Sequence, residues 1–295
     1  MNIQKRIFAL GFFDGVHLGH QVLLRECVRL AEETGSEAAA VTFDRHPRSL
    51  FSNTPPVLIS TLPDRLRLLS AYGISHTRVF PVTQAVMSTP WQDFLEQLIR
   101  EGGAGFVCGE DFHFGHRGQG SAQLLREFCA ERDLPCVIVA QQSIGETRIS
   151  STYIRRQIEE GDMATAVRFL GHPLMLTGTV VRGQQLGRTL GIPTANLLLP
   201  DGVAAPKFGV YACRCLIDGE RYPAVTNVGT RPTVAGQGIT VEPWILDYSG
   251  DLYGREISLE FYRFLRSEQK FPTLEDLKNR IHADARETRA YLDSL

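Results

Sequence analysis

At 295 residues the chain has room for one large or two ordinary domains, and 43% apolar content allows real cores. Charge is balanced, 31 basic against 33 acidic residues for a net of −2, so nothing demands a polyanionic partner such as duplex nucleic acid. No apolar run approaches the ~18 residues of a membrane span, and six cysteines without a CxxC pair read as reduced, buried thiols. The first residues run straight into a strand without a signal-peptide pattern, so a cytoplasmic protein with no membrane partner is expected.

An apolar run, Ile7–Leu10, leads into Gly11-Phe12-Phe13-Asp14-Gly15-Val16-His17-Leu18-Gly19-His20. Gln21–Glu33 follows, with Val22, Leu23, Val28, Leu30 and Ala31 roughly on one helical face. The pattern predicts strand, tight glycine loop and helix. The glycines let a ligand approach the backbone, and the helix N-terminus offers N–H groups to an anion. His17 and His20 are expected beside that anion on the first turn, where they can stabilise charge developing on a phosphate. By spacing alone the two histidines also fit half a metal site or an incidental glycine loop. The stretch is neither a dinucleotide fingerprint nor a Walker A loop.

Ala38–Phe43 predicts a second strand, ending in a polar loop where Arg45, His46 and Arg48 either meet phosphate or base, or are merely solvated. A helix is expected over Leu62–Ala71 and a strand over Thr77–Pro81. Another helix is expected over Pro90–Arg100, with Phe94, Leu95, Leu98 and Ile99 inward. The strand at Gly105–Cys108 breaks into Gly109-Glu110-Asp111-Phe112-His113-Phe114-Gly115. Asp111 is the ligand-contact candidate there, and Phe112 and Phe114 anchor the loop in the core. A helix over Ser121–Arg132 and a strand over Pro135–Val139 continue an alternation that marks a parallel α/β sheet. Ile149-Ser150-Ser151-Thr152-Tyr153-Ile154-Arg155 then enters a helix predicted to run to Leu170. The hydroxyls there can be plain capping; with Arg155 on the same first turn, they can also converge on one phosphate.

After Gly171-His172-Pro173 the helical signals thin out. Short β runs at Leu174–Val181, Gly209–Ile217, Tyr222–Val228, Ile239–Leu246 and Glu256–Leu265 predict an antiparallel barrel. A closing helix starts at Thr273, with Asp276 as capping-box partner and Leu277, Ile281, Ala285 and Tyr291 on its packed face. The boundary is expected near 171–175, giving domains 1–172 and 173–295. Gly183 to Arg188-Thr189 imitates a P-loop but is one residue short and carries Arg for Lys. It reads as a glycine-rich loop able to cover phosphates, or as an ordinary turn-rich β connection. Thr194 and Asn196 beyond it share a side if the segment is extended, and both offer oxygen to magnesium.

Taken together, GFFDGVHLGHQ and the later I-S-S-T-x-I-R resemble the two signatures of the adenylyltransferase module of bacterial bifunctional riboflavin kinase/FAD synthetases. Gly109, Asp111, Phe112, Phe114 and Gly115 match V-x-G-x-D-F-R-F-G, with His113 for Arg; Arg45 departs from T-F-x-P-H-P. The stretch G-x-x-x-G-R-x-L-G-x-P-T-A-N, from Gly183 to Asn196, resembles the riboflavin kinase signature; Thr226–Thr233 and Asp251–Gly254 resemble further motifs of that family. Its Glu-x-His keeps Glu242 here, but Trp244 replaces the histidine.

The resemblance implies an α/β nucleotidyltransferase domain followed by a kinase barrel with a closing helix, together making FMN from riboflavin and FAD from FMN. It implies ATP as co-substrate of both steps and Mg²⁺ held by Thr194 and Asn196, with Glu242 as general base. In the first module Gly11, Phe12, Asp14, Gly15, His17, His20, Asp111, Ser150, Ser151, Thr152 and Arg155 would serve ATP and phosphate. In the second, Gly183, Gly187, Arg188, Gly191, Pro193, Thr194, Asn196, Asn227 and Arg266 would serve ATP or flavin. The expected partners are riboflavin, FMN and ATP, with no nucleic acid, in a monomer or weak homo-oligomer. Two other readings stand beside this: an FMN adenylyltransferase whose kinase half is impaired at Trp244, and a non-catalytic flavin-binding protein.

Overall fold

The computed structural model describes residues 4–183, 191–233 and 236–295, with the side chains of 231–237 excepted. Gly187 and Arg188 therefore lie outside the described residues. The chain divides into two compact units, Met1–Leu58 with Leu62–Ser151, and Ile59–Thr61 with Thr152–Leu295.

In the first unit five strands form a parallel sheet: β1 (Arg6–Leu10), β2 (Glu37–Phe43), β3 (His76–Phe80), β4 (Gly103–Gly109) and β5 (Cys136–Val139). Their order is β3-β2-β1-β4-β5. The strand with an unbroken apolar run takes the centre, and Ile7, Phe8, Ala9 and Leu10 are all buried. Helices α1 (Leu18–Thr34), α2 (Leu62–Ala71), α3 (Trp91–Arg100) and α4 (Ala122–Ala130) connect the strands. The inward stripe of α1 holds Leu23, Leu30 and Ala31 as expected and adds Gln21, Leu24 and Cys27, while Val22 and Val28 are only half-buried at its margins. The small Cys27 lets the helix approach the sheet, and its thiol donates to the Ile7 carbonyl at 3.2 Å.

The helix expected to run to Leu170 is two helices, α5 (Ser151–Glu160) and α6 (Met163–Leu170). Gly161 stops the first at φ +84°, and the Asp162 carboxylate starts the second by accepting the Thr165 N–H at 3.1 Å. A Cβ at Gly161 would meet the Lys207 side chain at 2.7 Å, so glycine is required there on two counts.

The second unit holds six antiparallel strands: β6 (Leu174–Thr179), β7 (Leu197–Leu198), β8 (Gly209–Ile217), β9 (Glu220–Thr233), β10 (Gly236–Ile245) and β11 (Glu256–Arg266). Their order is β6-β11-β8-β9-β10-β7. The ends nearly close into a barrel: the Val181 N–H donates to the Asn196 carbonyl at 2.8 Å, and Leu197 lies over Gly178. The two-residue β7 escaped the sequence reading because two residues carry no periodicity.

Helix α7 (Leu274–Leu292) packs on the barrel. Thr273 caps it by accepting the Asp276 N–H at 3.1 Å, but the Asp276 carboxylate takes the Thr273 hydroxyl rather than its backbone N–H, so the capping box is only half made. Of its expected face, Ala285 is buried and Leu277, Ile281 and Tyr291 are half-buried; the centre includes the polar Asp284 and Thr288. Asp284 is tolerated because Arg266 grips both its oxygens, at 2.8 to 3.2 Å, and Arg280 approaches to 2.9 Å. All six cysteines are free thiols, five of them buried.

Candidate active sites

The first site grows from the carboxyl end of β1. A Cβ at Gly11 would meet the Phe13 ring at 2.8 Å, and Phe13 (φ +60°), Gly15 (+73°) and Val16 (+40°) all turn left-handed. A β-branched residue in that region is strained, and such strain gathers at functional loops. His17 is the N-cap of α1, one position before its first turn: its Nδ1 accepts the His20 N–H at 3.3 Å. The two imidazoles stack at 3.6 Å with an interplanar angle of 12°. Burial first, then His17 and Arg65, hold His20 well below the ordinary histidine range. The neutral imidazole is therefore the favoured form of His20.

Arg65 escaped the sequence reading. It is fully buried on α2, with Nη1 donating to the Phe12 carbonyl and Nη2 to the Phe43 carbonyl, both at 3.0 Å. Its guanidinium lies 4.3 Å above the Phe12 ring. Burial lowers it to about 10, opposed by Asp14 and Asp44, so it stays charged. It clamps the loops after β1 and β2 and carries a fixed positive charge beneath them. The available signal was weak: Asp64-Arg65 falls at helical spacing from Leu68 and Leu69, on the buried face of α2.

Ser151 joins this site, its Oγ donating to the Asp14 carbonyl at 3.2 Å. Ser150 is half-buried. Thr152 and Arg155 belong to the second unit, where Arg155 Nη2 donates to Thr152 Oγ1 at 3.4 Å. Asp111, on the loop after β4, makes an exposed ion pair with Arg148. Arg45 is spent on structure, donating to the Val82 carbonyl at 3.0 Å. Beside the loop after β1, a cavity of about 800 Å³ opens, lined by Phe43, His46, Phe51, Phe112, His116 and Arg117 among others. Phe114 is buried in the core as expected, whereas Phe112 stacks on it at 5.6 Å and also lines this cavity.

The second site lies on β10 and its two neighbours. Glu242 is buried directly across from Asn227 on β9. On the other side Thr194 bridges Trp244, and Leu197 pairs with Val241; continuing that register sets Asn196 across from Glu242. Residues at opposed positions of antiparallel strands share a face, so the P-T-A-N segment and the carboxylate meet through strand pairing. A cavity of about 350 Å³ is lined by Thr194, Asn227, Glu242, Trp244, Arg266 and Phe271 among others. A smaller one, about 110 Å³, takes Pro193, Thr194 and Asn196 together with Asp251, Leu252 and Tyr253. Thr194 borders both. A Cβ at Gly183 would fall 2.5 Å from the Asn196 amide, so glycine is needed for that approach. Gly191 takes φ +73° in open space, a turn position. Asn227 donates to Glu268 at 3.3 Å, and Arg266 is held in its bidentate pair with Asp284.

A family model for FAD synthetase matches residues 1–153, and one for riboflavin kinase matches 170–292. Proteins described as bifunctional riboflavin kinase/FMN adenylyltransferase align over nearly the whole chain. That of Listeria monocytogenes is 34% identical over 99% of this chain and 94% of its own length. The Bacillus subtilis protein is 33% identical, also over 99% and 94%. The Pseudomonas fluorescens protein is 36% identical over 96% and 92%. Among solved structures, one described as a macrolide-efflux protein from Streptococcus pneumoniae is 30% identical and superposes with a TM-score of 0.86, covering 98% of this chain and 95% of that one.

Proposed function

Since the chain belongs to the family of bifunctional riboflavin kinase/FMN adenylyltransferases, we infer that it phosphorylates riboflavin to FMN and adenylylates FMN to FAD, using ATP twice. The observation that supports this reading is that each unit carries its own cluster of candidate groups: stacked histidines at the start of α1, just after a strained loop, in one, and a buried carboxylate beside Thr194 and Asn196 in the other. Nothing favours an impaired kinase or a non-catalytic flavin binder over it.

In the kinase, Glu242 would take the proton of the riboflavin 5′-hydroxyl as that oxygen attacks the γ-phosphate of ATP. The flavin ring fits the larger, mostly apolar cavity, while the smaller one has room for a phosphate group of the nucleotide and not for the whole of it, with Thr194 at the seam. Magnesium is commonly held by few protein oxygens together with substrate phosphates. Thr194 and Asn196 would supply those oxygens; the Asn196 amide nitrogen donates to the Thr194 carbonyl at 3.4 Å, which keeps Oδ1 for a cation. Bound there, the ion would neutralise charge on the transferring phosphoryl group.

In the adenylyltransferase the FMN phosphate is itself the nucleophile toward the α-phosphate of ATP, and pyrophosphate leaves. The chain's task is positioning and charge stabilisation. We assign His17, His20, Ser150, Ser151, Thr152 and Arg155 to the phosphates, with Gly11, Phe12, Asp14 and Gly15 shaping the loop and Asp111 touching the ligand. The 800 Å³ cavity with Phe51 and Phe112 suits the FMN ring. We set the boundary between the two catalytic modules near 171–175, so α5 and α6 serve the adenylyltransferase. A cytoplasmic enzyme, monomeric or weakly self-associating and without a nucleic-acid partner, accords with ATP as co-substrate and six free thiols.

Chromatography of products from the purified protein tests the proposal. With Mg²⁺–ATP and riboflavin, both FMN and FAD are expected; with FMN supplied, FAD alone. Riboflavin left untouched while FMN is converted would overturn the kinase half.

A further inference from the structure

Resting on the kinase reading, we propose that Trp244 is the wall on which the riboflavin ring stacks, and so a specificity-determining residue of the first reaction. Trp244 stands two residues beyond Glu242 on β10, hence on the same strand face. It is opposed by Val225 on β9 and by Thr194 on the other side, and all four line the 350 Å³ cavity. Its ring is held in place: it packs with Val210, Val225, Leu246 and Ala285, and meets His282 of α7 edge to face at 5.4 Å and 83°. Yet the side chain is only half-buried.

An indole neither titrates nor accepts a hydrogen bond, so Trp244 has no part in moving the proton. What it offers is a flat, electron-rich surface, and the isoalloxazine ring is a flat, electron-poor partner. The placement also sets a distance. Two residues along a strand span about 7 Å, a reach comparable with the extended ribityl chain. A ring against Trp244 would thus bring the terminal hydroxyl toward Glu242, with Thr194 beside both. Stacking is equal in ground and transition states, so it acts on KM rather than kcat.

The test compares wild type with Trp244→Phe and Trp244→Leu, reading riboflavin kinetics and the emission of bound riboflavin. Indole quenches a stacked flavin strongly, and no tyrosine lines this cavity among its described residues. The leucine variant should raise the riboflavin KM roughly three- to tenfold, with kcat and the ATP KM nearly unchanged, and bound flavin should brighten. The phenylalanine variant should recover most of the affinity while still brightening, which a merely structural role would not produce. Emission and riboflavin KM unchanged in both variants would overturn the proposal while leaving the kinase intact. Quenched riboflavin that wild type never converts to FMN would sink the kinase reading and leave the stacking wall standing. No riboflavin binding at all would overturn both.

Discussion

His20 and Arg65 illustrate how single residues acquire their chemistry from burial. The charged form of His20 is penalised in the fold, so an unfolded chain binds its proton near the usual pKa of about 6.5 while the folded one resists it until lower pH. Between those two values the unfolded state holds more protons, so stability rises with pH there. The contribution is fully present above about 6.5 and is lost as pH falls toward the folded value. Denaturant unfolding of the first unit, followed through Trp91, should weaken between neutral pH and pH 5, and His20→Asn should flatten that slope. An unchanged slope would mean that His20 is not buried neutral. The same variant should slow adenylylation of supplied FMN by about 10²–10³-fold, the scale of one lost transition-state donor; a rate within a few-fold of wild type would refute the phosphate-clamp role.

At the scale of elements, the kinase site depends on pairing between strands distant in sequence and on α7 covering the barrel. The Arg266–Asp284–Arg280 cluster fastens α7, aided by Arg289 donating to Asp247 at 2.8 Å and Arg214 donating to the Leu292 carbonyl at 3.1 Å. Removing a fully buried carboxylate leaves Arg266 uncompensated. Asp284→Ala should therefore destabilise the second unit by roughly 3 kcal/mol, the low end for breaking a buried pair because Arg266 borders a cavity. Chemical denaturation followed through Trp244 measures it, and a loss under ~1 kcal/mol would reduce the cluster to an ordinary surface pair. Glu242 is positioned by a similar long-range logic, between Asn227 and the P-T-A-N segment, through the register of three strands.

For the whole molecule the expectation is separability. Glu242→Gln should lower FMN formation from riboflavin by about 10²–10⁴-fold, the scale of lost general-base catalysis, while adenylylation of supplied FMN continues at the wild-type rate. Parallel assays of the two steps on one preparation decide it; equal loss of both would contradict two independent sites. No described helix is long and apolar enough to cross a membrane.

Much of this was determined by the sequence alone. Alternating strands and helices, then glycine-punctuated β runs, mark the parallel sheet and the barrel because side-chain periodicity is local. The His17–His20 loop, the Ser150–Arg155 stretch and P-T-A-N were legible as candidates for phosphate or magnesium because each packs its polar groups into a few residues, and it was their resemblance to family signatures, not spacing alone, that set the last two apart from plain capping and an ordinary turn-rich connection. Tertiary structure decided what depends on partners far along the chain. Arg65 gains its role only because α2 brings it beneath Phe12 and Phe43. The two-residue β7 exists only because β10 offers it an edge, and the inward stripe of α1 is set by the sheet it meets. Trp244, a departure by motif, becomes a wall of the flavin cavity once β9 and the P-T-A-N segment flank it and α7 fixes its ring. Such roles come from desolvation and register, which no local pattern encodes.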